Sequence, residues 1–179
     1  MKILVLNAGS SSQKSCLYEI QDNIPENPPK PIWSAQVEWR PELAKIKIKT
    51  TTAELQQEIS ASHSEIIAHL LNSLYQGATK VINDLSEIDV VGHRVVHGGK
   101  EYQSSVVITQ SVIDTIQQLS TLAPAHNPVN LKGIQAIKEY LGDIKQVAVF
   151  DTAFHSHIPD EKAIFPGAYE WISQGIRRY

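Results

Sequence analysis

The sequence predicts an α/β domain, a mixed sheet with helices packed on its faces. Two observations carry that prediction. Strand-like stretches come first, and helix and strand patterns then alternate along the chain. Near Thr52 the apolar spacing also changes from a period of about two residues to one of about 3.6.

Residues 2–8 read as a strand buried on both faces, because Ile3, Leu4, Val5 and Leu6 run without alternation. After a serine-rich turn, Cys16, Tyr18 and Ile20 alternate with more polar neighbours as a second strand. "NIPENPPKPIW" reads as an exposed proline-rich connection. "SAQVEW" and "AKIKIKT" follow as strands, the second alternating Ile46 and Ile48 with lysines as a half-exposed edge does. From about Thr52, Leu55, Ile59, Ile66, Ile67, Leu70, Leu71 and Leu74 predict one long helix closed near Gly77. "IDVVGHRVVHGG" and "SSVVIT" return to strand, and Val112, Ile113, Ile116 and Leu119 mark a short helix. In "APAHNPVNLKGIQAIKEYLG", Asn127 is the expected N-cap, Pro128 the first helical residue and Gly142 the stop. "KQVAVF" is the last expected strand, buried and ending at Asp151.

The bulk properties narrow the function classes. With 179 residues, 42% of them hydrophobic and 20% charged, the chain can bury a core of its own. A net charge of -3 and a pI near 6.1 give no electrostatic footprint for nucleic acid. No stretch is long and apolar enough for a membrane span, and Asn7 and Ser10 to Ser12 interrupt the N-terminal apolar run too early for a signal peptide. The single Cys16 has no partner for an internal disulfide, and together these features point to the cytoplasm.

Four short motifs carry chemistry. "NAGSSSQK" offers backbone N–H groups, three hydroxyls and Lys14 within eight residues, which suits either an anion-binding turn or a plain hairpin. Its spacing is not that of a P-loop. In "GHRVVHGGK", His93 and His97 would lie about 13 Å apart on a strand, too far to share a metal. Arg94 has the planar fork for a carboxylate or phosphoryl group, with a structural ion pair as the alternative, and Gly98 and Gly99 would let a loop close on the ligand. "APAHNP" places His126 at a helix start, where an anion is favoured, or where a histidine simply supports the turn. "VFDTAFH" ends a strand with Asp151, placed for catalysis, for orienting a metal, or for capping a helix. "HSH" at residues 155–157 has no second cluster and reads as surface.

Taken together, "LVLNAGSSSQK", "VGHRVVHGGK", "LAPAHNPVNLKGI" and "VAVFDTAFHSHIP", followed by "YEW" and "GIRRY", resemble the acetate kinase family in the same order along the whole chain. The resemblance implies a ribonuclease-H-like mixed sheet with flanking helices, the fold group of actin, sugar kinases and chaperone ATPases. It implies reversible transfer of a phosphoryl group from ATP to acetate with Mg2+, giving acetyl phosphate and ADP, by a protein that is a homodimer at full length. By motif, Asn7 belongs to the magnesium site, and Lys14, Ser10 and Ser12 to the nucleotide phosphates. Arg94 is expected from the resemblance to hold the acid or acyl phosphate, beside Val96 and Ala125 at the acyl pocket. The same resemblance implies that His126 contacts the transferring phosphoryl group and that Asp151 is the catalytic acidic residue. Ala125 stands where the family commonly has leucine, which opens propionate or another short acid as an alternative; a third possibility is a binding module without catalysis. Family members continue past Tyr179 with a "GFHGTSH" block and adenosine loops. Residues 1–179 are therefore expected to be the N-terminal acid-binding domain, with residues 22–50 as an inserted loop and edge hairpin and the nucleotide-binding domain absent.

Overall fold

A computed structural model describes all residues except Asp22, Ile24 and Pro28, so part of the expected proline-rich connection lies outside the described residues. Eight strands form one mixed sheet: β1 (Lys2–Ala8), β2 (Ser12–Glu19), β3 (Trp33–Trp39), β4 (Ala44–Thr50), β5 (Glu54–Ile59), β6 (Val90–Val95), β7 (Val106–Val107) and β8 (Gln146–Phe150). Their spatial order is β5-β4-β3-β2-β1-β6-β8-β7. The wing from β5 to β1 is antiparallel, β1, β6 and β8 run parallel, and β7 closes the far edge antiparallel to β8. Helices α1 (His63–Tyr75), α2 (Gln110–Gln118) and α3 (Asn127–Leu141) precede the one-turn helices α4 (Asp160–Ala163) and α5 (Glu170–Ser173).

The three longer helices all pack on one face. Ile66, Ile67, Leu70 and Leu74 of α1 and Ile137 of α3 meet Leu4, Leu6, Leu17, Val37, Ile46 and Val91 in the larger core. Val112 and Ile116 of α2 join Leu131 and Ile134 of α3 against Val95, Ala148 and Phe150 in the smaller one. This corrects the expectation of strands buried on both sides. Along β1 only Leu4, Leu6 and Ala8 are fully buried, and on β8 Val149 is 48% exposed. The alternate side chains face a sheet surface that no helix covers among the described residues.

Three further expectations change. Residues 54–59 are a strand, not the start of a helix, and pair with β4 from Lys49↔Glu54 to Ala44↔Ile59. The ladder of β4 supplies partners that an isolated helical turn cannot, so tertiary pairing overrides the local period. Helix α1 starts instead at a capping box, where Ser62 accepts from the Glu65 N–H and the Glu65 carboxylate accepts from the Ser62 N–H. Strand β4 is consequently an inner strand rather than an edge, with Ile46 and Ile48 fully buried. The stretch 104–109 forms only a two-residue strand.

Candidate active site

The parallel strands β1, β6 and β8 end side by side, and three of the expected residues meet there. Arg94, next to last on β6, donates through Nε to both carboxylate oxygens of Asp151 (2.9 and 3.0 Å) and through Nη2 to Oδ2 (2.6 Å). Its Nη1 donates to Oδ1 of Asn7 at 2.9 Å. Asp151 follows the last residue of β8 and opens a short 3₁₀ turn, while Asn7 is next to last on β1. The network lies at the carboxyl ends of parallel strands, where ligands of α/β sheets bind.

The ion pair is half-exposed, at 45% for the arginine side chain and 40% for the aspartate. Asp151 raises the pKa of the already strongly basic Arg94 guanidinium, so the fork stays charged. A guanidinium carries five N–H donors, and Asp151 and Asn7 leave one N–H on each of Nη1 and Nη2. Those two remain as donors for a second carboxylate or a phosphoryl group.

The serine turn adjoins this network. Gly9 donates to the Ser12 carbonyl at 2.8 Å, closing a tight hairpin, and a Cβ at Gly9 would meet that oxygen at 3.0 Å. The Ser11 carbonyl accepts from Trp39 of β3, which anchors the turn from the other side. Lys14 is paired with Asn7 across the β1–β2 ladder, so its exposed side chain stands on the same open face. Ser10 is exposed and Ser12 partly so.

The loop after β6 departs from expectation. Gly98 faces packed side chains rather than open space for a ligand. A Cβ on Gly98 would lie 2.6 Å from the Phe150 ring, and the Gly98 N–H donates to Thr152 Oγ1 at 3.0 Å. Gly99, at φ +64, donates to Nδ1 of His97, whose ring meets Tyr179 edge-on at 4.6 Å. Gly98 thus lets the loop press onto the end of β8, while Gly99 leaves room for Leu119. A cavity of about 250 Å3 lies beside it, lined by Gly99, Lys100, Thr152, His155, Arg177 and Tyr179 among others, and none of the expected site residues lines it.

His93 and His97 take separate environments. His93 is buried under the helices and hydrogen-bonds Gln146 at 2.7 Å; burial lowers its pKa to about 4, so the ring is neutral and its Nε2 donates to the amide oxygen. Burial likewise lowers His97. Among the described residues no group of three or more His, Cys, Asp or Glu side chains is arranged to hold a metal.

Helix α3 holds the remaining pieces. Its N-cap is His126, exposed and without a side-chain capping bond, preceded by exposed Ala125. Asn127, expected as the cap, is the first helical residue and is fully buried. Its Oδ1 accepts from the His97 N–H (3.1 Å), and its Nδ2 donates to the carbonyls of His97 (3.0 Å) and Ile116 (3.3 Å). Asn130 accepts from the N–H of Val96 (3.2 Å) and donates to the carbonyl of Ala8 (2.8 Å). Neither asparagine stands among the expected site residues, although two amides at i and i+3 on the apolar stripe of a helix are a visible signal. The structure thus joins Asn7, Arg94 and Asp151 directly and ties Val96 to α3 through backbone. It brings Lys14 to the same face and leaves His126 and Ala125 at the exposed start of α3.

The Acetokinase family profile matches residues 2–179. The chain is 55% identical over 181 residues to the acetate kinase of Acaryochloris marina, covering all of this chain and 46% of that protein. The crystal structure of Porphyromonas gingivalis acetate kinase superposes with a TM-score of 0.88 at 36% identity, over 99% of this chain and 44% of the other. A propionate kinase from Francisella tularensis superposes with a TM-score of 0.85 at 31% identity, over 99% and 44%. The chain thus spans about half the length of the relatives it matches. A match that runs from the first strand to the last residue, together with the shared sheet, shows that this chain belongs to the acetokinase family.

Proposed function

We propose that this chain is the acid-binding half of an acetate kinase, which transfers a phosphoryl group reversibly between ATP and acetate. The observation that carries the reading is the Arg94 fork, held by Asp151 and Asn7 with one N–H left over on each of Nη1 and Nη2. Acetate is ionised at neutral pH, so its attack on a phosphoryl group needs no strong base. What the reaction needs is positioning and neutralisation of charge. Arg94 grips the acid, and Asp151 fixes the plane of the fork. His126, at the positive end of α3, faces the transferring group. Lys14 and the Ser10–Ser12 turn take nucleotide phosphate, and the remaining half of the protein supplies the adenosine pocket.

The donor set fits magnesium in part. Asn7 and Asp151 offer an amide and a carboxylate oxygen, but the neighbouring guanidinium opposes direct coordination, so these residues would hold the ion through water, with phosphate completing its shell. The ion's contribution when bound is to neutralise phosphate charge. A cytoplasmic homodimer is the assembly this reading carries with it.

The Francisella relative and the small side chain of Ala125 favour a second reading, in which propionate is the preferred acid. Joining the chain to the C-terminal portion of a relative and trapping the acyl phosphate as hydroxamate separates the two, because the ratio of kcat/KM for acetate and propionate reads the acid directly. Arg94→Ala should raise KM for the acid about tenfold or more with a smaller loss of kcat, whereas Asp151→Asn should lower kcat. Unchanged kinetics in both variants would refute the site.

A further inference from the structure

Parallel pairing between β1 and β6 runs from Ile3↔Val90 to Leu6↔His93 and stops there. Both strands nevertheless continue, β1 to Ala8 and β6 to Val95. The strands fork, and the carboxamide of Asn130, only 2% exposed, fills the fork. Its Nδ2 donates to the Ala8 carbonyl on one prong and its Oδ1 accepts from the Val96 N–H just beyond the other. A primary amide carries the same donor and acceptor as a peptide group, so Asn130 acts as one more rung of the ladder, inserted from a helix.

The consequence lies on the other side of the sheet. Asn7 immediately precedes Ala8, and Arg94 stands two residues before Val96. Their side chains meet across the same fork at 2.9 Å on the open face. Asn130 hydrogen-bonds neither side chain, yet it bonds the backbone of both prongs. Asn127, one turn earlier on α3, holds His97 and so steadies the loop rather than the fork. We propose that Asn130 is a positioning residue that sets the gap between Asn7 and Arg94, and with it the aim of the guanidinium edge that receives the small carboxylate. The link to the carboxylate rests on the acid-binding reading above, whereas the effect on Asn7 and Arg94 does not.

The chemistry of the amide tells the proposal apart from simple packing. Asn130→Asp keeps the volume and the acceptor for Val96 but loses the donor to Ala8, leaving two oxygens facing each other. Nitrogen-15 NMR of the 179-residue chain reads the outcome through the Arg94 Nη1 hydrogens and the Asn7 side-chain amide. Asn130→Asp should speed solvent exchange of the Arg94 Nη1 hydrogens, which bond Asn7, about tenfold, roughly the loss of one hydrogen bond, and should shift the Asn7 amide. Asn130→Ala should do at least as much. Ile66→Val, which loosens the distant α1 core, should leave both signals unchanged. A folded Asn130→Asp chain with wild-type Arg94 and Asn7 signals would overturn the proposal. So would unfolding of both Asn130 variants, which would assign the residue to the fold alone. Acetate added to the wild-type chain tests the other reading separately. An Arg94 signal that ignores acetate but responds to Asn130→Asp would defeat acid binding and leave the positioning role standing.

Discussion

The same strands show two contrasting faces. Toward the helices, Leu4, Leu6, Val91, Val95, Ala148 and Phe150 are all but inaccessible. Toward the open side, their neighbours Asn7, Lys14, Arg94 and Val149 are partly or fully exposed. Because side chains alternate along a strand, a six-residue segment such as β6 supplies core and site at once. Arg94 sits between buried His93 and buried Val95 and inherits their rigidity without sharing their burial. The difference teaches where each kind of energy resides, with stability on one face and ligand chemistry on the other. The exception is α3, whose buried asparagines bond strand and loop ends from the covered side.

The widest separation between the faces should come from Ile137→Ala. This fully buried side chain of α3 should cost about 2–5 kcal/mol in urea unfolding, since the cavity cannot fully collapse. A cost below about 1 kcal/mol would mean that the covered face is not the stabilising one.

Acid tests the same face through its one buried histidine. His93 has a folded-state pKa of about 4, below the ordinary value of 6.5, because burial penalises the charged ring. Its neutral form is therefore accommodated in the fold above about pH 6.5, and that stability is lost as the pH falls toward 4, on the order of 3 kcal/mol in all. Unfolding midpoints measured across this window should fall for the wild type and fall less for His93→Gln. Parallel curves would place the acid sensitivity elsewhere.

The smallest effect belongs to the open face. Lys14→Ala should change stability by no more than about 0.5 kcal/mol, because its side chain is exposed and makes no ion pair among the described residues. If Lys14→Ala cost as much as Ile137→Ala, the division between the faces would fail.

Much of this was legible beforehand. The apolar runs located β1, β6, β8 and α3, and the strand-end positions of Asn7, Arg94 and Asp151 singled them out. The illegible parts were those in which a residue's role depends on a partner distant in sequence. "ELQQEI" has a helix-compatible period, and only the free edge of β4 makes it a strand. Asn127 has the chemistry of a cap, yet the His97 backbone lies where its side chain finds three partners instead of one. The glycines after His97 suggested a ligand loop, but Gly98 makes room for the Phe150 ring and Gly99 for Leu119.

By itself, then, the sequence determined which side chains could do chemistry and at which strand ends they would stand. Alternation, capping and turn residues act within a few positions, and the motifs carry their own spacing. Tertiary structure alone decided that every longer helix would cover a single face. It also decided that Arg94 would be shared between Asp151 and Asn7, and that an asparagine from α3 would complete the fork between β1 and β6. The physical reason is range. Propensity is local, whereas a buried amide or a strand-end guanidinium finds its hydrogen bonds with whatever the fold brings within about 3 Å.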